Sequence, residues 1–168
     1  MRQLSKRAQY SLRALYALAR SYGQAPTLIS QIAEEEAIPK KFLEQILLSL
    51  KELGLVSSKK GKGGGYMLVQ PPHQVSLAMV IRMIEGPLAP LPCASETRFK
   101  KCEECLSIKT CGTRIVMKEV RDAIAGILEN TTLASVCNKV DAAELEEQRA
   151  NPKASTKRAK QKLVAVTG

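Results

Sequence analysis

Two helical segments followed by a glycine-rich basic turn constrain the fold of this chain more than any other feature. The stretch PKKFLEQILLSLKELG, residues 39–54, has apolar residues at helical spacing between a proline and a glycine, which are typical helix boundaries. Before it, APTLISQIAEEEAIP predicts a short helix at about 28–36 with Thr27 as its N-cap. After it, LVSSKKGKGGGYMLVQP predicts two short strands around a flexible turn. This order of elements predicts a winged helix-turn-helix.

The second half of the chain predicts further helices around a cysteine-rich loop. VSLAMVIRMIEGP reads as a helix with Ser76 as its N-cap, and the longest helix runs from about Gly112 to Glu129. An apolar stripe follows that longest helix: Ile115, Val116, Val120, Ile124, Ile127 and Leu128. The short chain offers too few partners for this stripe, so we expect the helix to pack against a second copy of itself, giving a homodimer. Folding back onto the N-terminal region is the alternative. Thr132 is expected to cap one last helical turn.

The predicted fold class is mainly α, a winged helix-turn-helix DNA-binding domain plus a long C-terminal dimerisation helix. Residues 1–72 form the winged region, and residues 73–140 form a linker helix, the cysteine loop and the dimerisation helix. Residues 141–168 form a basic tail that we expect to be disordered after roughly residue 150, because it is polar and weakly patterned.

The charge distribution favours a polyanionic partner. The net charge is +10, and residues 1–72 and 149–168 each carry +6, whereas the stretch between them carries −2. Basic regions of this kind suit double-stranded DNA. No apolar run approaches the roughly 20 residues that span a bilayer, and arginines are scattered through the first 20 residues. We therefore expect a cytoplasmic protein with no membrane partner.

Four of the five cysteines lie in one loop, with the spacing Cys93-x8-Cys102-x2-Cys105-x5-Cys111. Thiols stay reduced in the cytoplasm, so such a cluster indicates a metal or redox site more than a disulfide framework. Four thiolates suit a four-iron cluster, a two-iron cluster or one zinc ion, and a metal-free thiol switch is the remaining possibility. Cys137 lies outside the cluster and is expected to be a partly buried hydrophobe.

Basic residues flank the thiols, namely Lys100, Lys101, Lys109 and Arg114. Their charge would favour thiolates and offset the negative charge of a cluster. The single histidine, His73, is expected on a surface loop, and the chain has no Ser/His/Asp or paired-carboxylate constellation. We therefore predict no enzymatic activity and identify no small-molecule substrate.

Several motifs resemble the Rrf-two family of winged-helix transcription regulators, which includes the IscR, NsrR, RirA and CymR regulators. The motifs are KFLEQILLSLKELGLVSSKKGKGGGYML, LSKRAQYSLRALYALA, the EGP after the fourth helix, and CGTRIVMKEVRDAIAGILENTTLASV. The resemblance covers about residues 1–137 and implies a dimeric regulator. It places DNA contacts at the start of the recognition helix and in the wing. The candidate DNA-binding residues are Pro39, Lys40, Lys41, Glu44, Gln45, Lys59, Lys60 and Lys62.

The same resemblance implies an iron–sulfur cluster in the loop before the dimerisation helix, through which several members sense redox state, nitric oxide or iron supply. Most cluster-binding relatives supply three loop cysteines and a fourth ligand of another type. The positions of a recurring histidine and aspartate are occupied here by Arg114 and Gln9, which are poor iron ligands. The extra cysteine could fill this gap. In one alignment with the relatives, Cys105 and Cys111 match the usual interval, and Cys102 is the added cysteine. In the other alignment, the ligands are Cys93, Cys102 and Cys111, and Cys105 is spare.

These observations predict a sequence-specific transcription regulator that senses redox state, nitric oxide or iron–sulfur status. The alternative is a zinc-stapled or thiol-switch DNA-binding protein without an iron–sulfur cluster. In either case the candidate metal or cofactor ligands are Cys93, Cys102, Cys105 and Cys111.

Overall fold

The computed structural model describes residues 3–150, and within this range the chain forms six α-helices and one small sheet. In chain order the elements are α1 (Lys6–Arg20), α2 (Ile29–Glu35), α3 (Lys40–Glu52), β1 (Val56–Lys59), β2 (Gly65–Leu68), α4 (Leu77–Glu85), α5 (Gly112–Glu129) and α6 (Leu133–Ala150). Short 3-10 turns lie at Pro72–Gln74 and Pro92–Ala94. The mainly helical class is confirmed. No helix in this described range has the length and apolar character that crossing a bilayer requires.

The helix boundaries follow from local sequence. α1 begins after Ser5, whose Oγ accepts a hydrogen bond of 3.1 Å from a backbone N–H of the first turn. α3 begins directly after Pro39, and it ends before Gly54, whose φ of +73° is the left-handed conformation that commonly stops a helix. Ser76 caps α4, as predicted, and accepts a hydrogen bond of 3.2 Å.

Thr27 does not cap α2, and this prediction was wrong. The residue before α2 is Leu28, and no side chain caps this end of the helix. Thr27 instead pairs through its backbone with Tyr66 of β2, and its Oγ1 lies 2.8 Å from the Oγ of Ser21. Because Thr27 is buried, its backbone polar groups need partners, and the contact with β2 supplies them.

The hydrophobic core joins α1, α3, the hairpin and α4. One face of α3 is buried to 2 % exposure or less through Leu43, Ile46, Leu47 and Leu50. Burial of one such side chain stabilises the fold by about 1.5–3 kcal/mol. Leu133 at the start of α6 is also fully buried in this core. The opposite face of α3 is left at the surface of the chain.

β1 and β2 form an antiparallel hairpin, which is the wing of the predicted fold. Lys59 pairs with Gly65 at the end of the ladder, and the turn spans residues 60–64. Gly61 has a φ of +88°, which glycine adopts readily. A Cβ on Gly64 would lie 2.4 Å from the carbonyl oxygen of Lys59, so the tight turn requires glycine at this position.

The last two helices agree with the prediction in position, but α6 is longer than predicted. α5 spans Gly112–Glu129. Thr132 caps α6, and its Oγ1 accepts a hydrogen bond of 3.2 Å from the N–H of Ser135. α6 has 18 residues instead of a single turn, and it includes residues 141–150 of the predicted tail. The segment AAELEEQRA is rich in strong helix formers, which extend a helix once its first turns are packed. Residues 151–168 lie outside the described residues.

Candidate cysteine site and nucleic-acid interface

The first turns of α3 hold the predicted DNA-contacting residues at the surface. The residues of this set are all exposed: Pro39, Lys40, Lys41, Glu44 and Gln45. Leu48 follows them at helical spacing on the same face and is 55 % exposed. An exposed helix face with lysines and an amide can reach phosphates and base edges in a DNA groove.

Two side-chain contacts brace α3 against its neighbours. Arg7 of α1 donates from Nη2 to the Oγ of Ser49 at 2.5 Å. Lys51 donates from Nζ to the Oγ of Ser58 in β1 at 2.8 Å. These contacts tie α3 to α1 and to the wing. They were not predicted, because a contact between distant elements leaves no local pattern in the sequence.

The wing presents its three lysines to solvent. Lys59 ends β1, and Lys60 and Lys62 lie in the glycine turn; all three are exposed. A thin turn with clustered positive charge produces a local potential that attracts a polyanion. The structure therefore places both predicted groups of DNA-contacting residues on exposed parts of neighbouring elements.

The four loop cysteines line one cleft, which we call the thiol cleft. Cys93 lies in the 3-10 turn Pro92–Ala94 and is 4 % exposed, and Cys111 directly precedes α5. Cys102 and Cys105 lie on the loop between them. All four are free thiols and border a cavity of about 420 Å³. The structure therefore brings together the thiols that the sequence spacing grouped.

Cys102 is exposed but interacts with two of the other thiols. A side-chain hydrogen bond with Cys93 is the main cause that raises the pKa of Cys102, and desolvation and the charges of Cys93 and Cys111 act in the same direction. Cys105 is not among the groups that shift it. In the metal-free protein, the contact with Cys93 therefore favours the protonated thiol of Cys102.

The donor set of the thiol cleft fits a thiolate-bound metal or cluster in its chemistry. Four uncommitted thiols with basic residues beside them are ligands that soft and borderline metals prefer. The side chains are not arranged as a finished site, because residues 3–150 contain no group of three His, Cys, Asp or Glu side chains that could hold a metal ion. Ligation would therefore require the exposed part of the loop, with Cys102 and Cys105, to move.

Two arginines of α5 hold the backbone beside Cys93. Arg114 donates from Nε to the carbonyl oxygen of Cys93 at 2.9 Å. Arg121 donates from Nη1 to the carbonyl oxygen of Ala94 at 2.5 Å. The charge of Arg114 beside the thiols was predicted from the sequence, whereas the role of Arg121 was not. The available signal was a charged residue directly after Val120, within the apolar stripe of the helix.

Cys137 and His73 lie apart from the thiol cleft. Cys137 on α6 is 9 % exposed, its Sγ lies 3.9 Å from the carbonyl oxygen of Tyr16, and burial raises its pKa. His73 is exposed in the 3-10 turn after the wing. Cys137 is more deeply buried than the partly buried position that was expected, and the expectation of a surface His73 is confirmed.

Comparison with known proteins places this architecture in one family. The family described as "Rrf2: Iron-dependent Transcriptional regulator" matches residues 4–139. An rrf2-like HTH-type transcriptional regulator of Rhodobacter capsulatus is 39 % identical over 134 residues, which cover 77 % of this chain and 89 % of the relative. CymR of Bacillus subtilis is 30 % identical over 83 % of this chain and 92 % of its own length.

Solved structures agree with this assignment. The structure of CymR, titled the global cysteine regulator of B. subtilis, superposes with a TM-score of 0.70 at 29 % identity and covers 83 % of this chain and 98 % of that chain. IscR of T. potens superposes with a TM-score of 0.66 at 26 % identity and covers 84 % of this chain and 90 % of that chain. The winged-helix fold predicted from the sequence is confirmed. The chain belongs to the Rrf2 family of transcriptional regulators, which is the Rrf-two family that its motifs resemble.

Proposed function

We propose that this protein is a dimeric, sequence-specific DNA-binding regulator whose operator affinity depends on the state of the thiol cleft. The observation that carries the proposal is the position of the four thiols. They share one cleft at the start of α5, and Cys93 is hydrogen-bonded to that helix. A change at the thiols can therefore alter the placement of α5. We further propose that the protein acts in the cytoplasm, where free thiols persist, and that it has no enzymatic activity.

An iron–sulfur cluster is the cofactor that we propose for the thiol cleft. The ligand candidates are Cys93, Cys102, Cys105 and Cys111, and the family is described as iron-dependent. Thiolates are the usual protein ligands of such clusters. All four thiols line the cleft, so both registers stay open: the one in which Cys102 is the added thiol, and the one in which Cys105 is spare. When bound, a cluster would supply a redox-active, oxidation-labile centre that changes charge or is lost.

A thiol switch or a structural zinc is the second candidate. The specific observation that favours a switch is that Cys93 and Cys102 are both free thiols and line the same cleft. Two neighbouring thiols can be oxidised by a peroxide to a disulfide, with loss of two electrons and two protons to the oxidant. Zinc would instead hold four thiolates in a closed tetrahedral site and fix the loop.

Pairing of α5 with the α5 of a second copy is the proposed basis of dimerisation. The helix leaves large apolar side chains at the surface, with Ile115, Val116 and Ile127 at 46 %, 51 % and 68 % exposure. The single residue of α5 that is buried within the described chain is Arg121. Association of two such helices would cover this apolar face and would set the separation of the two recognition helices.

DNA reading is assigned to α3 and the wing. In this proposal Gln45 can pair with adenine, Lys41 can meet guanine or phosphate, and Glu44 can accept from cytosine. Lys60 and Lys62 can enter a narrow minor groove, where negative potential is concentrated. The proposed contact surface also includes Pro39, Lys40 and Lys59. Two observations support this surface: its residues are exposed, and the family is described as a transcriptional regulator.

The deciding experiment combines metal analysis with DNA binding. Protein purified anaerobically is analysed for iron, acid-labile sulfide and zinc, and its operator affinity is compared before and after chelator treatment. We expect iron and sulfide in the protein and different affinities for the two forms. Alanine variants at Cys93, Cys102, Cys105 and Cys111, made one at a time, identify the ligands by loss of the cofactor, whereas Cys137→Ala, which removes a thiol outside the cleft, should retain it. Equal affinities of both forms would refute sensing, and zinc alone would support the structural alternative.

A further inference from the structure

Arg114 and Arg121 converge on adjacent peptide groups from positions two turns apart on α5. The two residues are seven positions apart, so they lie on the same side of the helix at a separation of about 10 Å along its axis. The Nε of Arg114 donates to the carbonyl oxygen of Cys93 at 2.9 Å, and Nη1 of Arg121 donates to that of Ala94 at 2.5 Å. The 3-10 turn that contains Cys93 is therefore held on α5 at two consecutive carbonyls.

Arg121 is buried where it contacts the carbonyl oxygen of Ala94, so this contact belongs to the packed interior of the fold. Arg121 is 8 % exposed on a helix that otherwise lies near the surface, and burial of a guanidinium is costly without partners. Its partners are present, because Nη2 lies 3.1 Å from Glu96 Oε1 and 2.5 Å from Asp122 Oδ1. With the carbonyl of Ala94, these carboxylates compensate the buried charge.

The thiol cleft consequently has one fixed side and one exposed side. Cys93 and Ala94 are buried and tied to α5, whereas Cys102 is exposed and Cys105 is only partly buried. Arg114 also holds the far part of the loop, since its Nη1 donates to the carbonyl oxygen of Ile108 at 3.4 Å. Its guanidinium lies over the Phe99 ring, 5.9 Å from the ring centroid.

We propose that Arg114 and Arg121 are positioning residues that anchor Cys93 to α5, so that a change of thiol state is transmitted to this helix. Ligation or oxidation of the exposed thiols draws the loop toward the fixed Cys93. Because Cys93 is held on α5 through two guanidinium groups, the resulting force acts on α5 and not on the loop alone. This inference rests on the proposed function for its regulatory consequence, but the anchoring itself is testable without a cofactor.

The first test measures the accessibility of Cys93 in reduced, metal-free, full-length protein. Arg121→Gln and Arg114→Gln are compared with wild type by iodoacetamide alkylation, and the Cys93 peptide is followed by mass spectrometry. We expect Arg121→Gln to accelerate Cys93 alkylation about tenfold, because a hydrogen bond from a charged donor is lost. Arg121→Lys keeps the positive charge but lacks the planar guanidinium group with its several N–H donors. Its Cys93 alkylation rate should lie between those of Arg121→Gln and wild type.

The matched control is Arg82→Gln. Arg82 of α4 also ties α5 to the rest of the chain, because its Nη2 donates to Glu129 Oε1 at 2.6 Å, and this ion pair does not involve the cysteine segment. It should leave the Cys93 alkylation rate at the wild-type value. Unchanged alkylation in both Arg114→Gln and Arg121→Gln, or an equal acceleration in Arg82→Gln, would overturn the proposed anchoring. If Arg121→Gln does not fold by circular dichroism, the half-buried Arg114 provides the test.

The second test measures transmission to the DNA-binding surface. The ratio of operator affinities of cluster-loaded and chelator-treated protein is determined for wild type, Arg121→Gln and Arg82→Gln. We expect Arg121→Gln to bring the ratio close to one while the chelator-treated form still binds DNA, and Arg82→Gln to keep the wild-type ratio. A wild-type ratio in Arg121→Gln would overturn the transmission. A ratio of one in wild type itself would refute the proposed function, whereas the alkylation test would still decide the anchoring.

Discussion

Thr27 in the α1–α2 connection and Tyr66 in β2 exchange both of their backbone hydrogen bonds. The N–H of Tyr66 donates to Thr27 at 2.8 Å, and the N–H of Thr27 donates to Tyr66 at 2.9 Å. This is a hydrogen-bonded antiparallel pair, and it adds a third short segment to a hairpin that would be marginal as two strands. The proposed DNA-contacting wing is therefore fixed to the helical core through residues 39 positions apart in the chain.

Gly65→Ala should detach the wing from this connection. Gly65 has a φ of +154°, and a Cβ there would lie 2.4 Å from the carbonyl oxygen of Thr27. We expect a loss of about 2–3 kcal/mol in the free energy of unfolding, measured by urea denaturation. Gly61→Ala is the control, because it has a positive φ but no atom within 4 Å, and should cost about 1 kcal/mol. Equal losses in the two variants would contradict the importance of the close approach.

Substitutions at Gln45 and Lys62 should affect operator binding in different ways. Gln45→Ala should cost about 1–3 kcal/mol and relax specificity at one base pair, because an amide can pair with a base edge. Lys62→Ala should weaken binding to all sequences and reduce the slope of log K against log salt by about one. Fluorescence anisotropy on operator and mutated operators at several salt concentrations measures both effects. Lys139→Ala on α6 is the control and should match wild type.

A charge placed on the exposed face of α5 should prevent dimerisation. Ile127 is 68 % exposed in the single chain, and burial of an unpaired carboxylate at a helix pair is unfavourable. We expect Ile127→Glu to weaken self-association by at least about 30-fold, which corresponds to ~2 kcal/mol. Light scattering after size exclusion measures the mass. Val69→Glu, an equally drastic change at a 52 % exposed residue after the wing, should remain dimeric. A dimeric Ile127→Glu protein would place the interface elsewhere.

Removal of Cys93 should lower the pKa of Cys102. The side-chain hydrogen bond with Cys93 is the largest cause that raises this pKa, so its loss removes the preference for the protonated thiol. In Cys93→Ala the pH profile of Cys102 alkylation should therefore shift to lower pH, and Cys102 should react faster at neutral pH. The measurement is iodoacetamide labelling of reduced, metal-free protein across pH. Cys105→Ala should leave the profile unchanged, and a shift in the opposite direction in Cys93→Ala would contradict the contact.

The sequence was sufficient for the elements with strong local patterns. α3 and the wing follow from apolar spacing between Pro39 and Gly54 and from the glycine run, because helix termini and tight turns depend on residues only a few positions apart. The extent of α5 and the grouping of the four thiols were predicted for the same reason. The four cysteines can line a single cleft because they lie close together along one loop.

The tertiary structure alone decided which distant groups meet. Thr27 pairs with the wing instead of capping α2, the first turns of α6 pack on α1, and Arg121 lies buried on the carbonyl of Ala94. Each outcome depends on contacts between residues far apart in the chain, and these contacts override local preference when they satisfy buried polar groups. Local sequence therefore determined the helices, the hairpin and the thiol cluster, whereas packing determined how the cluster is joined to α5.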